Sequence, residues 1–381
     1  MRGVLSSRPS LVVLCAANDW DGPWFADQQF AVALSKHVPV LYVDPAVSFR
    51  SGVPKGFLAR PWVRELGPGL TRLSPVGLPG GQRPGAALVT SALVAHRVRQ
   101  TVRAMGTRVD VLVDCFPRTP VLGRCGERRK VYWAQDDFGA MAELVGVSRS
   151  QMEAGERHLA RRADLVMAAN PRVAERWSKS GARTELIPFG CDPAAFAAVP
   201  ELVRAPDVRL EGPIAGFVGH IGERIDPAMM RAVADAGVSL LLVGPKHPRF
   251  DIGSLEGFFD RANVQWVGAR RFEELPPYLA AMDVGLVPYN HSAFNEASFP
   301  LKTLEYLAAG VRVVATDLPA IGWLDCPFVE VADTPSSYGE AVLQALQAPN
   351  DRATRASLQA FASRHSWDAR AEQFLAVLET V

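Results

Sequence analysis

The sequence predicts an α/β protein made of two doubly wound, Rossmann-like domains that face each other across a cleft. Three observations carry that expectation. Short apolar runs, such as Leu11–Ala16 and Ile214–Val218, alternate with longer helical patterns along the chain. These runs are continuously apolar rather than alternating, as in a parallel sheet covered by helices on both faces. The rhythm breaks in an irregular stretch after Ile187, containing Pro188, Gly190 and Pro193, and then restarts at Ile214.

In the first half, strands are expected at Leu11–Ala16, Val40–Val43, Leu70–Val76, Val109–Asp114, Lys130–Trp133, Leu165–Ala168 and Thr184–Ile187. Helices are expected at Phe25–Ser35, Ala86–Met105, Arg149–Ala163 and Pro171–Lys179. The second half repeats the cycle with strands at Ile214–Val218, Ser239–Val243, Val264–Val267, Val284–Val287, Val311–Ala315 and Phe328–Val331. Its helices are expected at Pro227–Ala236, Leu275–Met282, Pro300–Ala309 and Tyr338–Gln347, followed by a helical tail broken near Ser366. The predicted domains are 1–190 and 213–364, with a linker at 191–212 and a closing helix at 365–381.

At 381 residues, 48% hydrophobic and 21% charged, the chain has ample core for two domains. Five cysteines, odd in number and widely spaced with no Cys-x-x-Cys pair, argue against a disulfide framework or zinc site and suit the cytoplasm. Arg2 and Arg8 ahead of the apolar run at 11–17 superficially resemble a signal peptide. That run is short and leads straight into Asn18 and Asp19, so it reads as a buried first strand. No run approaches the ~18 apolar residues of a membrane span.

The net charge of +1 conceals an asymmetry. Residues 1–190 hold 26 Lys and Arg against 16 Asp and Glu, whereas the remainder holds 15 against 24. A basic first half suits an anionic acceptor or the inner face of a cell membrane, and no nucleic-acid partner is expected.

The stretch from Pro300 to Gly310 describes a site as well as an element. Pro300 suits the first turn of a helix and Gly310 its left-handed stop. Such a helix turns free N–H groups and the positive end of its dipole toward whatever precedes it, which favours phosphate. Lys302 adds a cation in the first turn. Glu305, three residues on, shares its face and leans back toward the helix start. A carboxylate there suits two ribose hydroxyls while the helix mouth holds a diphosphate. On an isolated helix the same two residues would be an ordinary surface ion pair.

Here the chain resembles the GT-B-fold glycosyltransferases of family 4, of the polysaccharide-assembly, teichuronic-acid type. Four places carry the likeness: residues 300–317, the glycine-bearing turn 216–224, the junction 187–192, and Ser366, Trp367 and Asp368. The resemblance implies a retaining transfer of sugar from a nucleoside diphosphate to an acceptor hydroxyl, with Glu305 on the ribose and Arg224 on the diphosphate. Gly219 and Gly222 would let backbone approach a phosphate closely. The stretch 267–276 is similar to the family's base-binding loop, which implies a base near Val267 and Arg271. The last helix is expected to cross back to the first domain. No metal is expected where Arg224, Lys302 and the helix mouth stabilise the leaving diphosphate.

One departure bears on the sugar. The family has an earlier Glu eight positions before the closing one, and that position is Ala297 here, with Glu296 one residue early. Glu296 or Asn295 would then reach the sugar through a loop of altered length, or backbone N–H groups of Ser298 to Leu301 would take over. In the first half, Asp21 and Trp20 are candidates for the acceptor, against an Asx-turn with a packed tryptophan. Asp136 and Asp137 are candidates to orient or deprotonate it, one of the two being structural. Arg118 is a candidate for an acceptor phosphate. Two rival readings remain: a nucleotide-sugar epimerase or hydrolase on this scaffold, and a catalytically silent nucleotide-sugar-binding partner. A dinucleotide oxidoreductase is disfavoured, since neither first turn carries Gly-x-Gly-x-x-Gly.

Overall fold

The computed structural model describes residues 10–48, 62–79, 83–144, 146–247 and 257–381. The chain divides into two compact units, one of residues 1–188 with 367–381 and one of residues 189–366. The helix Trp367–Leu378 thus belongs with the first unit, against the helix Ala26–Ser35, where Lys36 meets Asp368 at 2.8 Å.

The first unit is built on eight strands: β1 (Val12–Cys15), β2 (Val40–Val43), β3 (Val63–Gly67), β4 (Leu70–Leu73), β5 (Val111–Asp114), β6 (Arg129–Ala134), β7 (Leu165–Ala168) and β8 (Thr184–Leu186). They lie in the order β8-β7-β6-β5-β1-β2-β4-β3, all parallel except the edge pair of β3 with β4. β1, β2, β5 and β7 are buried at every position, which is why each reads as an unbroken apolar run. Strand β3 carries exposed Val63, Arg64 and Glu65 and gave no such signal.

The second unit holds β9 (Ile214–Val218), β10 (Ser239–Val243), β11 (Val264–Trp266), β12 (Val284–Val287), β13 (Arg312–Ala315) and β14 (Val329–Val331). Their order is β11-β10-β9-β12-β13-β14, parallel throughout. Strand order reverses at β9 and β12, so the loops after these two strands flank the crevice where doubly wound sheets take ligands.

The segment 191–212, expected as a linker, is part of the second unit instead. Asp192 caps a short helix, Pro193–Phe196, by accepting from the N–H groups of Ala194 and Ala195. Phe196, Val199, Ala205, Val208 and Leu210 are then buried in that unit's core. Their spacing fits no single period, so the apolar content was visible but not its burial.

Candidate active site

The helix between β12 and β13 spans Leu301–Ala308. Pro300 is its N-cap residue rather than its first helical one, and Gly310 takes the left-handed φ of +74° expected at its end. Tyr306 fixes the helix on the sheet. Its ring lies where a side chain at Gly285 of β12 would begin, since a Cβ there would stand 2.4 Å from the ring. Its hydroxyl accepts a 2.8 Å hydrogen bond from the N–H of Val218, the last residue of β9. One side chain thereby ties the helix to both strands of the switch point.

Lys302 and Glu305 form the pair expected, at 2.6 Å. They are not an ordinary surface pair: Glu305 is only 7% exposed. Burial opposes the charge of Lys302, but Glu305 beside it outweighs that, and Tyr289 adds to it, so the ammonium titrates above the usual lysine range. Lys302 is therefore a firm cation at neutral pH. In the same turn Thr303 is fully buried with its Oγ1 lacking a hydrogen-bond partner.

Arg224 sits in the loop after β9, which pairs with the loop after β12 through Ile225 and Tyr289. Its guanidinium lies over the rings of Tyr289 at 4.6 Å and Phe294 at 4.9 Å. Its Nε donates to Oδ1 of Asn295 at 2.8 Å, and Asn295 Nδ2 donates back to the carbonyls of Arg224 and Asn290. Asn295 is completely buried and holds both the side chain and backbone of Arg224. The hold is neutral. Among the described residues no carboxylate pairs with the guanidinium, so the fork is fixed in place by neutral groups. Sequence reasoning offered Asn295 to the sugar; the structure gives it to Arg224 instead.

The other expectations for this unit divide. Gly219 lies beneath Gly244, whose own Cβ would collide with the Gly219 carbonyl oxygen at 1.8 Å, so the turns after β9 and β10 are in backbone contact. The space beside Gly222 is taken by the His220 ring, 2.9 Å from where a Cβ would sit. The N–H groups of Ser298 and Leu301 donate to the carbonyls of Asn295 and Phe299, so they are local turn bonds rather than open donors. Glu296 stands 3.6 Å from His291, which meets Asp333 at 2.9 Å on its other nitrogen. The Val267 carbonyl accepts from Arg270, whose guanidinium also reaches Asp207 at 2.7 Å. Arg271 is largely exposed; its N–H donates to Glu274 at 2.8 Å, starting the turn Phe272–Glu274.

In the first unit the loop after β1 closes on a buried arginine. Arg72 of β4 binds Asp44 at 2.6 Å, Asp21 at 2.9 Å and Asp19 at 3.2 Å. Asp19 also accepts from the N–H of Asp21, an Asx-turn. Trp20 packs edge-on against Tyr42 and Trp24. Asp21 and Trp20 thus have structural occupations, whatever else they touch. So has Asp137: it caps the helix Phe138–Leu144 through the N–H of Ala140 and pairs with Arg176 at 3.2 Å. Arg176 in turn reaches Glu156, which is completely buried and receives the Tyr132 hydroxyl. Asp136 beside it is half-buried.

Arg118, in the loop after β5, differs from these. It is half-buried over the Phe116 ring at 5.8 Å, with no carboxylate of the described residues paired to it. Burial alone pulls its guanidinium below the usual arginine range. A partly desolvated cation is stabilised when a ligand supplies an anion. Among the described residues no cluster of three His, Cys, Asp or Glu is placed to hold a metal ion.

Residues 212–348 match the family described as glycosyl transferases group 1. That stretch contains Arg224, Asn295, Lys302 and Glu305. The curated relative TuaH of Bacillus subtilis strain 168, named for teichuronic acid biosynthesis as a glycosyltransferase, is 30% identical over 207 residues, 52% of this chain. The chain spans about half, 51%, of that relative's length. Among solved structures, sucrose-phosphate synthase from Thermosynechococcus elongatus superposes with a TM-score of 0.70 at 16% identity, over 97% of this chain and 98% of its own. HepE of Anabaena, solved with UDP and glucose, gives 0.63 at 17% identity over 98% and 100%. These likenesses show the fold, the two Rossmann-like domains of the GT-B class.

Proposed function

We propose that this chain is a glycosyltransferase that moves a sugar from a nucleoside diphosphate sugar to an acceptor hydroxyl, retaining the configuration at the sugar. One observation carries the reading most. At the switch point of the second unit, a buried carboxylate with its lysine and a rigid arginine held by neutral groups converge on the carboxyl ends of β9 and β12. In this reading the group 1 domain binds the donor. Glu305 accepts the ribose hydroxyls, and Lys302 and Arg224 face the diphosphate. As the sugar–oxygen bond breaks, negative charge grows on the departing diphosphate, and these preorganised cations stabilise it without needing a divalent metal.

The acceptor falls to the first unit, where Arg118 suits an anionic group and Asp136 or Asp137 the reacting hydroxyl. The sugar contacts once expected of Asn295 pass to Glu296. The five thiols, unpaired in the structure, suit the cytoplasm.

Thermal-shift screening against UDP, GDP, TDP and ADP tests the donor site, followed by release of nucleotide from the matching sugars with and without an acceptor. Stabilisation by one diphosphate and acceptor-dependent release are expected. Release that needs no acceptor would make the chain a hydrolase or epimerase, and binding without release a silent partner. Glu305→Ala should lower kcat/KM about 30- to 100-fold, a loss of about 2–3 kcal/mol.

A further inference from the structure

Glu296, to which the sugar contacts pass, has a support of its own. Ala297, where the resemblance expects an acid, is only 4% exposed, whereas the Glu296 side chain is 24% exposed. A carboxylate at 297 would lose its water; one at 296 keeps part of it. The segment carrying Glu296 is fixed on the loop after β9. Asn290 donates from Nδ2 to the Glu223 carbonyl at 2.7 Å and from its N–H to the Arg224 carbonyl at 3.0 Å. Asn295, on the same short helix as Glu296, holds Arg224. Between these anchors stands His291. Its Nε2 meets Asp333 Oδ1 at 2.9 Å, and because an ionised carboxylate only accepts, that nitrogen carries a proton. Its Nδ1 faces Glu296 Oε1 at 3.6 Å. Asp333 Oδ1 also accepts from the N–H of Asp317 at 3.1 Å. The contacts therefore run from the loops after β14 and β13, through a ring on the loop after β12, to the acid beside Asn295.

We propose that His291 and Asp333 are positioning residues that aim the Glu296 carboxylate at a hydroxyl of the donor sugar. The inference rests on the proposed transferase reading and adds to it what orients the acid meant for the sugar. At 3.6 Å the ring is at ion-pair distance rather than hydrogen-bonded, so it steers Glu296 without fastening it. Asp333, tied to Asp317, is the anchor that keeps the ring from turning away. An incidental surface pair would end at His291 and Asp333. Here the ring also faces an acid whose helix neighbour is completely buried Asn295. Through that helix the acid meant for the sugar and the arginine meant for the diphosphate stand at a fixed spacing. A nucleotide sugar then meets both groups already in place, and its sugar adds affinity beyond that of the diphosphate.

Calorimetry on the full chain tests it, comparing UDP, GDP, TDP and ADP with UDP-glucose, GDP-mannose, TDP-glucose and ADP-glucose. The unaltered protein should bind one sugar conjugate about tenfold more tightly than the matching diphosphate. His291→Ala should erase that gain while leaving affinity for the diphosphate within about twofold. His291→Gln, which still offers an N–H, should restore part of it. Asp333→Ala, in a different loop, should reproduce the loss. In a Glu296→Gln background His291→Ala should change nothing further, since a residue that acts through another is not additive with it. Variants that keep the sugar's gain, additive losses, or a conjugate bound no better than its diphosphate by the unaltered protein would overturn the positioning role and leave the donor site standing. So would a joint fall in both affinities and in melting temperature, the mark of a merely structural pair. An unaltered protein that binds none of these ligands would overturn the donor reading itself, and this inference with it.

Discussion

Each unit fixes an arginine near the carboxyl end of a parallel strand, and the two treat its charge in opposite ways. Arg72 is enclosed by Asp19, Asp21 and Asp44, and its side chain is 5% exposed. Arg224 is held by the amide of Asn295 and by two aromatic rings. Both are immobile. Only the second remains a cation in search of an anion. Holding an arginine with carboxylates makes a structural element, whereas holding it with neutral groups makes a binding element. Among the acids, burial raises the pKa of Asp27, Asp44, Asp114 and Glu156 in the first unit, whereas hydrogen bonds lower acids outside the core in both units, Glu153 and Glu175 in the first and Glu274 and Asp351 in the second.

The sharpest way to break this contrast is at Arg72. Arg72→Met leaves buried Asp44 without its cation and should destabilise the first unit by about 3–5 kcal/mol. Denaturant melts read that loss, and nucleotide affinity of the folded fraction should be unchanged. Arg224→Ala should do the reverse. About 1.5–3 kcal/mol of nucleoside diphosphate affinity is lost, read by calorimetry, with little change in melting temperature. A large fall in stability would instead make Arg224 a second Arg72.

The acids offer a third test. Burial pushes Glu156 and Asp114 up to about 7. Their unfolded values are near the ordinary ~4, so the folded state binds the extra protons between those limits. Stability should therefore fall as pH rises from about 4.5 to 7, by on the order of 2 to 3 kcal/mol for each group. Melting temperature measured across that range should decline, and Glu156→Gln should flatten the slope. Last and smallest, Arg271→Ala removes an exposed pair with Glu274. It should leave the melting temperature nearly unchanged and nucleotide affinity within about twofold. A larger loss of affinity would give that side chain a role at the base.

Much of this was legible beforehand. Strands β9, β10 and β12 lie at the residues the apolar runs marked, because strands buried on both faces cannot hide their composition. Strand β3 was invisible, since an exposed edge with Arg64 and Glu65 lacks that signature. The helix after Pro300 and the pairing of Lys302 with Glu305 followed from the Pro and Gly signals and the three-residue spacing. The partner of Arg224 did not, for Asn295 lies 71 positions away and adjacency across the switch point leaves no periodic trace.

The sequence by itself determined the two parallel sheets, the helix that ends at Gly310, and the lysine–glutamate pair on it, because propensity, periodicity and spacing are local. Only the tertiary structure decided which charges stand free. Whether an arginine is neutralised depends on side chains brought together by sheet order, and residues remote in sequence supply them. For that reason Asp21, Asp137 and Asn295, all plausible ligand contacts in the chain, became supports for Arg72, Arg176 and Arg224 in the fold.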